Sequence, residues 1–155
     1  SITIRGSEKL NGVWKKVSNL TMDDLAIDGI RLNMKYNEAA KLLGLKDQLV
    51  FDEIPQEDDV PLVKDIQKNG LEMTFYTYSD ALDKATLVEI HIKDMQYNTF
   101  RGIKIGDSYD KVKSLYQNPD DENKDKISYY LGPFTLSFKL GDGKVKQIDL
   151  MSEYG

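Results

Sequence analysis

The sequence predicts an α+β fold of two tandem repeats, each a helix followed by an antiparallel meander, with both helices on one face of the sheet. Three recurrences predict it. Gly29-Ile30-Arg31-Leu32, followed by Tyr36 and Leu42, returns as Gly102-Ile103-Lys104-Ile105, followed by Tyr109 and Leu115, at a constant offset of 73 positions. Downstream, Leu71-Glu72-Met73-Thr74-Phe75-Tyr76 matches Phe134-Thr135-Leu136-Ser137-Phe138-Lys139, and Leu87-Val88-Glu89-Ile90-His91-Ile92 matches Val145-Lys146-Gln147-Ile148-Asp149-Leu150. These segments alternate apolar and polar side chains, the period of half-buried strands. The offset falls from 73 to 63 to 58, so the first copy holds insertions, which are the acidic stretch 52–59 and the longer hairpin 77–86.

Taken in order, residues 1–24 lie outside both copies, 25–93 form the first repeat and 94–155 the second. Ile2-Thr3-Ile4 is expected to add an edge strand, and Val13, Trp14 and Val17 to pin this leader to the core. Tyr36, Ala39, Ala40 and Leu43 share one face at helical spacing, as do Tyr109, Val112 and Tyr116, so a short helix follows each Gly-Ile segment. Tyr36 and Tyr109 are expected in equivalent core positions. Asp107 or Ser108 is placed to cap the second helix by accepting from an unpaired N-terminal amide. In the first copy Met34 and Lys35 occupy those places, leaving Asn33 as the cap and a helix that starts less firmly. Three strands follow in each copy, the last two as a hairpin, with Gly141-Asp142-Gly143 supplying the second copy's tight turn. The helices should cover the apolar face made by Leu71, Met73, Phe75, Phe134, Leu136 and Phe138, and the other face should meet solvent.

At 155 residues, 40% hydrophobic and 30% charged, the chain can bury a substantial core. Its formal charge of -5 leaves no basic stripe to neutralise phosphates, which argues against a nucleic-acid partner. With no cysteine, disulfides, thiolate nucleophiles and cysteine-ligated metals are excluded. No apolar run reaches the roughly 20 residues that a membrane-spanning helix needs. The chain begins at Ser1 and its first residues hold no signal-peptide core, so a leader is expected to be absent from it.

The string Thr99-Phe100-Arg101-Gly102-Ile103-Lys104-Ile105-Gly106-Asp107-Ser108, with Val112 and Tyr116 after it, resembles the opening of small bacterial envelope modules. These are the SmpA/OmlA-type small lipoproteins and the beta-lactamase-inhibitor-protein family, in which a Gly-Ile-x-aliphatic-Gly-x-Ser phrase precedes a short helix and a strand meander. The resemblance covers residues 24 to 152 and implies a beta-lactamase-inhibitor-like tandem fold in an envelope setting, with inhibition among the roles it allows. The chain departs from the pattern at Gln117, where the family usually has Gly, at Asn33-Met34-Lys35, and in having no Cys.

Chemistry-bearing residues are few. His91, the single histidine, shares an outward strand face with Glu89 two residues away, but no third ligand at a recognisable spacing completes a metal site. It is read as solvent-exposed and dispensable, with His91→Ala changing stability by about 0.5 kcal/mol at most. The acidic runs around Asp52, Glu57 and Asp120 lack the ligand order of a calcium loop and are read as solvated charge. Gly102 and Gly106 match neither a phosphate loop nor a dinucleotide loop, and no serine sits in a nucleophile motif. Nine tyrosines stand out. Tyr76 faces outward, Tyr78 lies in the inserted hairpin, and one of Tyr129 and Tyr130 must point out, which suits either a contact surface or simple strand-forming preference.

The expected function is therefore a non-catalytic, exported or lipid-anchored bacterial protein that binds another protein or an envelope component through its open sheet face. The expected contact residues are Glu72, Thr74, Tyr76, Tyr78, Glu89 and His91 from the first copy, with Lys139 and Gln147 from the second. Thr135, Ser137 and Asp149 complete that face, and Tyr76 is its expected exposed anchor. No catalytic residue, cofactor, metal, nucleic acid or transmembrane segment is expected, and the chain is expected to be monomeric. The alternative is an extracytoplasmic small-molecule binder with a pocket between the repeats, and an enzyme using carboxylates with His91 is the third reading.

Overall fold

The computed structural model describes residues 7–10, 13–16 and 19–154, the first two segments by their backbone alone, and is an α+β fold with two helices and a mainly antiparallel sheet. The expected strand at 2–4 and the side chains of Val13, Trp14 and Val17 lie outside the described residues. Strands β1 (Ser7–Leu10) and β2 (Val13–Lys16) pair with each other. Next come the two-residue strands β3 (Ala26–Ile27) and β4 (Ile30–Arg31), the helix α1 (Tyr36–Leu43) and the meander β5 (Pro61–Lys68), β6 (Leu71–Tyr78) and β7 (Thr86–Ile92). Helix α2 (Tyr109–Tyr116) precedes β8 (Asp121–Asn123), β9 (Lys126–Leu131), β10 (Phe134–Gly141) and β11 (Lys144–Ser152). The second half thus has one short strand more than the three expected.

Seven strands form one sheet in the order β5-β6-β7-β11-β10-β9-β8, every neighbouring pair antiparallel. Turn chemistry sets the hairpins. Asn69-Gly70 (φ 52° and 83°) and Asp142-Gly143 (φ 54° and 73°) each place two consecutive residues in the left-handed region, as the two-residue turns that match strand twist require. At Gly70 a side chain is also excluded sterically, since a Cβ there would lie 2.7 Å from Asp94 Oδ2.

Register places both helices on one side. Leu71 pairs with Ile92, Ile92 with Ile148, and Ile148 with Phe138, so these side chains share a face, and all four are buried. Tyr36 of α1 packs edge-on against Phe75 at 5.1 Å, and Tyr116 of α2 lies 5.3 Å from Phe138 and 5.4 Å from Tyr129. Of the six residues expected on the apolar face, five are buried and Phe134, near the sheet end, is half-buried. Tyr109 departs from expectation. It is half-buried on the flank of α2, where its hydroxyl donates to Glu122, and Tyr116 supplies the core aromatic instead.

Helix ends correct two further expectations. Ser108 caps α2, its Oγ accepting from Lys111 N at 3.1 Å, whereas α1 has Lys35 at its N-cap with no side-chain bond, and Asn33 is a turn residue at φ 68°. The backbone around the two helices nonetheless matches at an offset of 73. Asn33 N donates to Leu87 O at 2.8 Å as Gly106 N does to Val145 O, and Tyr36 N donates to Ala85 O at 2.9 Å as Tyr109 N does to Gly143 O. The Gly-Ile segments differ in that Ile30 pairs in a two-residue strand after a left-handed Asp28 (φ 45°), while Ile103 is irregular.

The C-terminal ends explain the Gln117 departure. Gly44 closes α1 at φ 68° and ψ 36°, but Gln117 closes α2 at φ 65° and ψ -125°, a conformation that favours glycine, and its buried Oε1 has no hydrogen-bond partner among the described residues. Gln117→Gly should relieve that strain and raise stability by about 1 kcal/mol, seen as a rise of about 3 °C in a thermal melt.

Candidate functional site

The outward sheet face is assembled by register. Pairing β7 with β11 sets His91 opposite Asp149 and Glu89 opposite Met151, while β6 brings Glu72 opposite His91 and Thr74 opposite Glu89. Because alternate residues share a face, Glu72, Thr74, Tyr76 and Tyr78 of β6 align with Asp65 and Val63 of β5 on one side and with the β7–β11 pair on the other.

At the centre His91 lies between two carboxylates. Its Nδ1 donates to Asp149 Oδ1 and its Nε2 to Glu89 Oε1 at 2.9 Å, so the ring carries both protons. The Asp149 bond, reinforced by Glu89 and opposed by burial, pushes the imidazole pKa up to about 9. Burial pushes Asp149 the other way from its net shift, but the bonds from His91 and from Gln147 Nε2 (2.7 Å) outweigh it and hold the carboxyl below its usual range. Lys139 Nζ stands 3.9 Å from the second Asp149 oxygen. Tyr154 closes the network by donating to Glu89 Oε2 at 2.8 Å.

Beside this network the polar face is bonded to itself. Thr74 Oγ1 donates to Asp65 Oδ1 at 2.7 Å and the Ser128 and Ser137 hydroxyls meet at 2.9 Å, and Thr74, Ser128, Ser137 and Asp149 are all buried. The face is therefore less solvated than an alternating pattern implies.

The eight expected contact residues all fall on this face, but their roles separate. Glu72, Tyr78 and Lys139 are exposed, Thr74 is buried, and Glu89, His91 and Gln147 are half-buried members of the central network. Tyr76 is corrected from an exposed anchor to a half-buried one. Its ring packs 5.5 Å from Tyr78 and 5.0 Å from Tyr154, and its buried hydroxyl meets no hydrogen-bond geometry with any described residue. Among the described residues the exposed rings on this face are Tyr78, Tyr154 and Tyr130, with Tyr129 turned into the core. Sequence reasoning missed Tyr154, which lies beyond the last strand where period-two alternation no longer applies.

Two open grooves flank Glu89 and Tyr154. One, of about 380 Å³, runs over β5 to β7 past Asp65, Glu72 and His91, and the other, of about 740 Å³, runs over β9 to β11 past Tyr130, Thr135 and Met151. Among the described residues no cluster of three or more His, Asp or Glu side chains is arranged to hold a metal ion, and no helix is long and apolar enough to cross a membrane.

No protein-family model matches the chain, and no curated protein matches it. Among solved structures it is similar to a cysteine-rich secretory protein from Staphylococcus aureus subsp. aureus Mu50, at 9% identity and a TM-score of 0.33. That likeness covers 79% of this chain and spans 43% of the other, and at so low a score it carries no weight for fold or function.

His91, expected to be solvent-exposed, is instead half-buried and bonded through both ring nitrogens. Its folded pKa of about 9 lies above the ordinary 6.5, so its contribution is fully present below pH 6.5 and is lost as pH rises through 9. Asp149, held below the carboxylate's ordinary 3.8, adds a contribution present above that value and lost as pH falls further. Stability should accordingly decline by on the order of 2 kcal/mol between pH 6.5 and about 9. His91→Ala should remove that decline and destabilise by about 2 kcal/mol at pH 6, as denaturant melts across pH would measure.

Proposed function

We propose that this chain is a non-catalytic binding module of the bacterial cell envelope, exported or lipid-anchored, that holds another protein or an envelope component on its outer sheet face. Its fold, in this reading, is a beta-lactamase-inhibitor-like tandem repeat. Support for the repeat comes from the equal 73-residue spacing of both helix ends, the matching backbone bonds before each helix, and the mirrored order of the meanders about β7 and β11.

The observation that carries the binding role is the outer face itself, where three exposed tyrosines lie towards the Glu89 end of a polar network whose groups are already bonded to one another. Such a surface offers aromatic area at small entropic loss, with little reorganisation on contact. With both nitrogens already donating to carboxylates and its pKa raised to about 9, His91 is poorly placed to act as a general base at neutral pH. A small molecule is favoured less, because the depressions on this face are open grooves and the helix–sheet interface is filled by Tyr116, Tyr129, Phe138 and Phe75.

Photo-crosslinking from envelope extract tests the reading. A photoreactive side chain at Tyr78 or Tyr130 should capture one species that the same group at Lys41, on the exposed side of α1, does not. Tyr76→Ala, which removes the ring supporting Tyr78 and Tyr154, should weaken that capture by about 2 kcal/mol, while Thr135→Ala should change it by under about 0.5 kcal/mol. Equal capture from both faces, or an intact interaction in Tyr76→Ala, would move the site elsewhere.

A further inference from the structure

Strand β5 is an edge of the seven-stranded sheet, and its open side follows from the hydrogen-bond phase. Ser79 N donates to Val60 O at 2.8 Å, and bonding alternates along an antiparallel pair. Leu62, Lys64, Ile66 and Lys68 therefore direct their backbone groups at β6. Pro61, Val63, Asp65 and Gln67 direct theirs away, and no described residue bonds to them. The Asn69-Gly70 turn requires the same phase, since residues flanking a two-residue turn form a bonded pair.

An edge of this length with free amides and carbonyls is a template for another strand. A second copy of this chain is a poor occupant. In antiparallel self-pairing the two longest overlaps, centred on Lys64 or Asp65, set that residue against its own copy, and centring on Ile66 sets Lys64 against Lys68, all like charges directly opposed. Centring on Val63 avoids this, but there Pro61, which has no N–H, removes ladder bonds. The same charges are satisfied by a strand of complementary sequence. On the helix side Lys64 and Lys68 form no ion pair with a described residue, and a groove of about 390 Å³ lined by Leu49, Val50 and Ile66 runs along that edge.

We propose that β5 accepts an extended segment of a different polypeptide by strand addition, one that places apolar residues against Ile66 and Leu62, acidic residues against Lys64 and Lys68, and a basic residue against Asp65. This site shares Asp65 with the outer face but is argued from the edge's unmade backbone bonds, so it stands or falls without the outer-face reading.

The probe is a synthetic peptide, Glu-Thr-Val-Lys-Glu-Thr-Val-Thr, added to the full chain with backbone amide exchange followed by NMR. The expected result is saturable binding that slows exchange at Val63, Asp65 and Gln67 about ten-fold or more, while N-methylation of the peptide amides facing β5 weakens binding at least about ten-fold. Val63→Pro, tolerated on an edge, should weaken binding similarly with an unchanged circular dichroism spectrum. The proposal is overturned by no saturable binding, by binding without slowed exchange at those three amides, or by their protection already in the free monomer. A concentration-dependent dimer that protects the same amides would overturn it in favour of a second copy.

Discussion

The rest of the molecule depends on the antiparallel pairing of β7 with β11. Four residue pairs join the two meanders, Ile92 with Ile148, His91 with Asp149, Ile90 with Leu150 and Glu89 with Met151. On the inner face this closes one continuous core, since the isoleucines and Leu150 are fully or almost fully buried. On the outer face it creates the carboxylate–imidazole–carboxylate arrangement. A slip of one residue would turn the apolar side chains outward and drive His91 and Asp149 into the core, so the register is held by apolar burial and by ion pairing together.

A second constraint ties the segment before α1 to the segment before α2. Asp24 has a fully buried carboxylate, and Arg101 meets it with two bonds, Nε to Oδ1 at 2.9 Å and Nη2 to Oδ2 at 2.8 Å. Nη1 donates to the carbonyl of Leu115, Nη2 donates also to that of Asn19, and the cation lies 4.7 Å from the centre of the Tyr116 ring. Buried charge of this kind is tolerable only when paired and fully bonded, and here each carboxylate oxygen of Asp24 accepts from the guanidinium. Tyr116 in turn donates to Thr99, whose own oxygen accepts from Ile103 N, which fixes the Gly-Ile turn of the second half onto the helix that follows.

The two candidate contact surfaces differ physically. The outer face presents rings and a closed polar network whose hydrogen bonds are already made, so its attraction to a partner comes from aromatic area and shape. The β5 edge presents unmade backbone bonds, so its attraction comes from main-chain pairing, with side-chain charge choosing among partners. Asp65 belongs to both, bonding Thr74 on the face while its own backbone lies on the open edge.

Much of the local structure was legible in the sequence. Period-two alternation marked β6, β7, β10 and β11, the helical spacing of Tyr36, Ala39 and Ala40 marked α1, and Ser108 was a visible cap, because these features depend on neighbours a few residues apart. Tyr109 was misplaced because helical spacing identifies a face and not how far along the helix the core extends. Which strands meet was not legible. The contacts of His91 with Asp149, Tyr76 with Tyr154 and Asp24 with Arg101 join residues 58, 78 and 77 positions apart. Nothing local encodes such distances. The sequence by itself determined the elements and the faces they present, whereas tertiary structure decided that a histidine read as solvated would be held between two carboxylates, because burial and hydrogen bonding depend on what packs alongside.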